Sequence, residues 1–241
     1  SSFLDSFCDD TANYTANSIY ERNLHQLFSN LTTNAPRTGF YTATAGHGTD
    51  QAYGLLLCRG DVPSDVCSSC AYNSVSQVDS DCSGRRSAVL WMEECFIRYS
   101  DFNFIGTAST DFNFSMPRST TNSDPVLFSR QLSRLMANLS SIVIGGASRF
   151  AVGDIVFLGS QRIYGMAQCT RDVTLSNCTT CLEDVVREMP ICCRGWNEGI
   201  VYTVNCGARY GAFPFTFQSG VLASPPESQT PYGSSPGSNR I

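Results

Sequence analysis

The stretch YGLLLCRGDVPSDVCSSC, Tyr53 to Cys70, returns as YGMAQCTRDVTLSNCTTC, Tyr164 to Cys181. Each copy holds a Tyr-Gly, a Cys, eight residues, a second Cys, two residues and a third Cys. An offset of 111 carries Cys58, Cys67, Cys70, Cys82 and Cys95 onto Cys169, Cys178, Cys181, Cys193 and Cys206, and Arg98-Tyr99, Phe102 and Phe104 onto Arg209-Tyr210, Phe213 and Phe215. Upstream the offset falls to 108, where Leu24, Leu27, Asn30 and Leu31 match Leu132, Leu135, Asn138 and Leu139. Agreement over this length means duplication. The chain reads as two modules, 1–106 and 122–218, joined by a polar linker at 107–121. A Ser/Pro/Gly-rich tail follows at 219–241, a composition that reads as a spacer.

Within each module the apolar periodicity is legible. Tyr20, Leu24, Leu27, Phe28 and Leu31, like Phe128, Leu132, Leu135 and Leu139, recur at three- and four-residue spacing, so each set predicts an amphipathic helix. A second helix is expected to start within the Cys-x-x-Cys and to run through CLEDVVREM, with Leu182, Val185, Val186 and Met189 on one face. AYGLLLC and IYGMAQC read as strands, and SAVLWMEECFIRYSDFNF and GIVYTVNCGARYGAFPF as two more each. The fold class is therefore α+β: two disulfide-stapled modules, each an antiparallel sheet with helices on one face. The aromatic residues after each module's last Cys exceed what one small core needs, which predicts an apolar interface between the modules.

The cysteines choose among three chemistries. Twelve of them against two histidines imply an oxidising compartment. A zinc ribbon needs two Cys-x-x-Cys knuckles roughly 15 to 20 residues apart, whereas here they fall in different modules. A thioredoxin-like site belongs to a βαβ unit and leaves the other cysteines unexplained. A disulfide framework accounts for all of them. Acceptor tripeptides at Asn13, Asn30, Asn113 and Asn138 suit a secreted glycoprotein; Asn177-Cys-Thr fits only formally, beside a Cys that a bridge would claim. The opening SSFLDSFCDD has neither a basic nor an apolar leader region, as expected where a signal peptide has been removed. No run approaches the roughly 20 apolar residues of a membrane span. A net charge of −5 argues against nucleic acid.

No catalytic constellation emerges. His25 lies beside the first helix's apolar stripe and His47 in the ATAGHGTDQ loop, neither with a visible partner. There is no Gly-x-Ser-x-Gly elbow, and GHG and VIGGA are too short for a phosphate cradle. Arg59-Gly60-Asp61 reads as part of the loop between Cys58 and Cys67 rather than as an adhesion motif. Neither an enzyme nor a cofactor or metal site is expected.

With CFIRY or CGARY closing each copy, the duplicated Cys spacing resembles the plant stress-antifungal domain typified by ginkbilobin. In tandem it is similar to cysteine-rich receptor-like kinase ectodomains, plasmodesmata-located proteins and cysteine-rich repeat secretory proteins. The resemblance implies two helices on a five-stranded antiparallel sheet. It also implies bridges Cys58–Cys67, Cys70–Cys95 and Cys8–Cys82, and by equivalence Cys169–Cys178 and Cys181–Cys206. The match of Cys8 is Met116 or a neighbour, none of them Cys, so Cys193 lacks its expected partner. A bridge to the adjacent Cys192, two thiols or another pairing remain open. The implied function is non-catalytic extracellular recognition in stress and defence signalling. The molecule would be secreted or displayed on the outer face of the plasma membrane, in the apoplast, and its ligand an extracellular protein or cell-wall glycan. It would meet a membrane only if a span, with a kinase domain beyond it, follows Ile241; the tail would then be a juxtamembrane stalk. The alternative is a mannose-binding antifungal lectin. The family's three sugar-holding positions, however, fall on Asp9, Val89 and Ser100, and in the second module on Ile200 and Gly211 for the two that have a match. Without the amide, guanidinium and longer carboxylate of the family site, mannose binding is not expected.

Overall fold

The computed structural model describes residues 1–217; the tail read at 219–241 lies outside them. The first module contains β1 (Phe3–Cys8), α1 (Ile19–Thr38), β2 (Phe40–Ala45), β3 (Ala52–Cys58), α2 (Ser64–Asp81), β4 (Ala88–Met92) and β5 (Cys95–Ser100). The second repeats the order with β6 (Asn113–Thr121), α3 (Pro125–Gly145), β7 (Phe150–Leu158), β8 (Gln161–Cys169), α4 (Leu175–Cys192), β9 (Trp196–Thr203) and β10 (Cys206–Gly211). Each set forms a five-stranded antiparallel sheet, ordered β1-β4-β5-β3-β2 and β6-β9-β10-β8-β7. This is the α+β pair of modules that the sequence predicts. Among the described residues no helix is long and apolar enough to cross a membrane.

The repeated Tyr-Gly has a packing cause. Gly54 and Gly165 face the first helix of their own modules. A Cβ on Gly54 would stand 2.8 Å from Leu27 and 2.9 Å from Leu31; one on Gly165 would stand 2.9 Å from Leu135 and 3.1 Å from Leu139. These are the same two leucines of each stripe. The missing side chain lets α1 and α3 lie close on their sheets, and the stripes fill two separate helix-to-sheet cores.

Six disulfides staple the modules: Cys8–Cys82, Cys58–Cys67, Cys70–Cys95, Cys169–Cys178, Cys181–Cys206 and Cys192–Cys193. Among the described residues no cysteine is free. In the chain-entropy account the first five each contribute roughly 2.5 to 4.5 kcal/mol. The sixth joins neighbours at the end of α4. Cys8 pairs with Ala88 across the ladder, and the matching residue Gly199 pairs with Pro117, so Pro117 occupies the place of Cys8 in the second sheet. Cys193 therefore turns to the residue beside it.

Two details depart from the sequence reading. First, α4 begins at Leu175, ahead of the Cys-x-x-Cys, because the Thr174 side chain accepts the Asn177 N–H at 3.1 Å and caps the helix there. Second, β6 occupies Asn113–Thr121, inside the stretch read as linker at 107–121, where it pairs with β9. Its polar composition reflects its position at a sheet edge: Phe114 alone is buried along it, and Met116 half-buried. The edge also tolerates Pro117.

The faces of the two sheets that carry no helix pack against each other. Leu55, Leu57, Val89, Trp91 and Phe96 from the first meet Phe114, Ile200 and Val204 from the second. The Trp91 ring lies 5.5 Å from Phe96 and 5.1 Å from Phe114, which is 5.7 Å from Tyr202. Strands β4 and β5 are thus buried on both sides. The aromatic residues after the last Cys divide differently from a simple surplus. Tyr99 and Tyr210 belong to their own cores, Phe104 joins the shared one, and Phe102 and Phe213 are exposed.

Candidate ligand-binding cleft

The seam between the sheets is polar at its margins and nearly symmetric. Asp61 accepts the backbone N–H of Phe217 at 2.7 Å; its match Asp172 accepts that of Gly106, the match of Phe217, at 2.8 Å. Each module's loop after its third strand thus holds the chain leaving the other module's sheet. Arg59 donates to both carboxylate oxygens of Asp61, at 2.6 and 3.1 Å, and to the carbonyl oxygens of Glu93 and Phe215. A Cβ on Gly60 would collide with Phe150 of the other module at 2.3 Å. The Arg-Gly-Asp tripeptide is therefore interface, with Arg59 and Asp61 buried.

The arginine of the repeated Arg-Tyr breaks the symmetry. Arg98 and Arg209 each cover the ring six residues on, Phe104 at 4.1 Å and Phe215 at 4.4 Å. Arg209 is also clasped by two carboxylates, Glu93 of the first module and Glu198 of its own. Arg118 reaches Glu93 at 2.7 Å, closing an inter-module network. Burial pushes the Glu93 carboxyl up, but Arg209 and Arg118 outweigh it and hold it below its ordinary value. Shifted by 111, Glu93 falls on Val204 and Glu198 on Ser87. Arg98 accordingly has no carboxylate in direct contact: it is 4% exposed, and the Phe104 ring packs on its guanidinium while Asp172 and Asp111 act on it from farther off. Burial lowers its pKa to about 10, against the opposing pull of Asp172 and Asp111.

A cleft of about 690 Å³ opens at this arginine. One wall is the segment from Phe102 to Ser115 that leaves β5 and enters β6; the other is the face of α4 from Asn177 to Glu188, with β9 and Asn205 below. Asn205 ties wall to floor by accepting the Ser109 N–H at 2.7 Å. The lining is rich in amides and hydroxyls, including Asn103, Asn177, Thr180 and Thr203, with Phe102 and Phe104 as aromatic faces. Residue type and spacing do not mark Arg98 or the linker residues as a site. The signal that could have found them is the loss of the two glutamates on one side of an otherwise faithful repeat.

The candidates read from the sequence lie elsewhere. Asp9 is half-buried, its carboxylate accepting the Thr11 N–H; Val89 is in the shared core; Ser100 is buried, its hydroxyl 2.6 Å from that of Ser87. They do not make one accessible polar cluster. His25 stands 3.5 Å from Asp79 on the outer helices, and His47 is exposed. Asn13, Asn113 and Asn138 are exposed and Asn30 half-buried; Asn113 lies on the cleft.

Residues 7–102 and 115–212 each match the family described as salt stress response/antifungal. The chain belongs to that family. An antimicrobial ginkbilobin-2-like protein of Castanea crenata is 34% identical over 87% of this chain and 87% of its own length. Cysteine-rich repeat secretory protein 38 of Arabidopsis thaliana is 33% identical over 88% of this chain and 85% of its own. Cysteine-rich receptor-like protein kinase 7 of the same plant is 32% identical over 93% of this chain, which spans only 35% of that kinase. Among solved structures, the tandem DUF26 ectodomain of the Arabidopsis cysteine-rich receptor-like protein PDLP8 superposes with a TM-score of 0.77 at 28% identity, covering 91% of this chain and 99% of that one. Like these secreted and receptor-like family members, this stress-antifungal tandem is extracellular, in keeping with its six disulfides.

Proposed function

We propose that the chain is a non-catalytic recognition body acting outside the plant cell in stress and defence signalling, either as a receptor-like kinase ectodomain or as a secreted relative. The observation that carries this reading is the cleft at Arg98, a wide site built by both modules, with amides and hydroxyls among its lining and a buried cation at its wall. Its partner is an extracellular protein or a cell-wall glycan. The modules act as one binding unit because the sheet-to-sheet core and the paired aspartate contacts hold both walls. A thermal-shift screen against soluble cell-wall saccharides and extracellular protein fractions tests it. The reading expects a stabilising ligand that is recovered chemically unchanged; conversion of that ligand would sink it.

The mannose-lectin alternative finds no support here. Val89 offers no polar side-chain atom, and the Ser100 hydroxyl is already paired with Ser87. Titration calorimetry with mannose should show no saturable heat.

A further inference from the structure

We propose that the cleft between the Phe102–Ser115 segment and α4 binds a saccharide carrying a single carboxylate, with Arg98 as the carboxylate's receptor. This rests on the reading of the chain as a recognition module. Duplication supplies an internal control. At Arg209 the protein shows what this buried arginine needs: two carboxylates on its N–H edges and a ring on its face. At Arg98 the ring is kept and both carboxylates are gone, replaced by Val204 and Ser87. A buried guanidinium with no carboxylate in direct contact, Asp172 and Asp111 acting on it only from farther off, is unfavourable. It persists here at the wall of an open cleft, where an incoming carboxylate can meet its N–H edge in the bidentate geometry that arginine favours.

The rest of the lining decides what carries the carboxylate. Amides at Asn103, Asn177 and Asn205 and hydroxyls at Thr180 and Thr203 stand among apolar lining groups, a mixture that can meet both the hydroxyls and the C–H faces of a polyhydroxylated ligand. The Phe102 ring, 54% exposed at the cleft, offers a flat face for the C–H side of a sugar ring. Asp111, Asp184 and Glu188 also line the cleft. Asp111 accepts the Ser109 hydroxyl and Asp184 pairs with Arg187, so both are fixed as acceptors for hydroxyl groups. Together they repel a polyanion. One cation among these acids favours an isolated uronate flanked by neutral sugars over a continuous polyuronate or a doubly charged phosphate. The volume suits an oligosaccharide rather than a single ring.

The test is titration calorimetry on protein prepared without N-glycans, because Asn113 borders the site. The probes are a xylo-oligosaccharide bearing one glucuronate, the same molecule with its carboxyl reduced to an alcohol, and an unbranched oligogalacturonate. Saturable binding of the first is expected, about ten- to a hundredfold weaker after carboxyl reduction, and weaker also for the polyanion. Arg98→Gln should reproduce the loss. Thr180→Trp, which fills the cleft from an exposed position, should abolish binding with an unchanged melting temperature. Carboxyl reduction needs no variant, so a misfolded Arg98→Gln protein would not rescue the idea. Equal binding of the reduced probe, binding that survives Thr180→Trp, or no binding of the first probe would overturn the proposal. If a carboxylate-ended peptide were bound in the cleft instead, the saccharide assignment would fail while the recognition reading stood. Cleavage of a probe would sink the recognition reading itself.

Discussion

At the scale of single residues, Gly54 and Gly165 set how closely the first helix of each module approaches its sheet. Replacing either with Ala places a methyl group under 3 Å from a core leucine. Gly54→Ala and Gly165→Ala should each destabilise by about 1–3 kcal/mol in urea titrations. Asp61 is anchored more deeply, since it neutralises Arg59 and holds the chain beyond the second sheet. Asp61→Asn leaves Arg59 buried without its counter-charge and should lower the stability of the folded pair by about 3–5 kcal/mol, read by the same titration. What the sequence discloses at this scale is residue type and spacing. The cysteines and the repeated Tyr-Gly are plain, because a disulfide or a steric clearance constrains one position severely. Arg98 is visible as part of the repeat and invisible as a site. A buried arginine clasped by carboxylates and one with none in direct contact look alike until the facing residues, Glu93 and Glu198 or Val204 and Ser87, are brought together by the fold.

Among the elements, the four helices and the central strands are legible in the sequence and the edge strands are not. Helices bury one stripe, and β3, β4 and β5 bury both faces; those patterns survive in the letters. β1, β2, β6 and β7 border their sheets and break the alternation of a half-buried strand: β1 exposes Phe3 and Phe7, β7 exposes Val156 and Leu158, and β6 is largely polar and carries a proline. Their pairing is dictated by the neighbouring strand rather than by their own composition. The family resemblance implies five strands where the residues alone show three per module. The disulfides differ in the same way between local and tertiary effect. Cys181–Cys206 closes 25 residues of separation, worth about 3.5 kcal/mol in the chain-entropy account. Cys192–Cys193 links neighbours and closes almost no loop. Replacing both members of the first pair with Ala should therefore cost at least twice as much as replacing both of the second, measured by denaturant midpoint and slope.

At the scale of the whole molecule, the two modules form one body. The Trp91–Phe114–Tyr202 cluster and the Glu93 network lie across the seam. Trp91→Ala should destabilise by about 3–5 kcal/mol and broaden the inter-module distances seen by small-angle scattering. Glu93 ties this body to pH. Its carboxyl is held below the ordinary value in the folded state, so the stability it contributes is fully present above the unfolded carboxylate pKa. That contribution is lost as pH falls from there through the lowered value. Thermal melts of Glu93→Gln and the parent should accordingly converge in acid and diverge toward neutral pH. The central claim is that recognition takes place in the cleft both modules build. Hydrogen exchange with and without the glucuronate-bearing xylo-oligosaccharide tests it most directly. The prediction is added protection confined to Phe102–Ser115 and the Asn177–Glu188 stretch of α4, with the saccharide recovered intact. Protection confined to the outer helix faces, none at all, or a cleaved saccharide would contradict it.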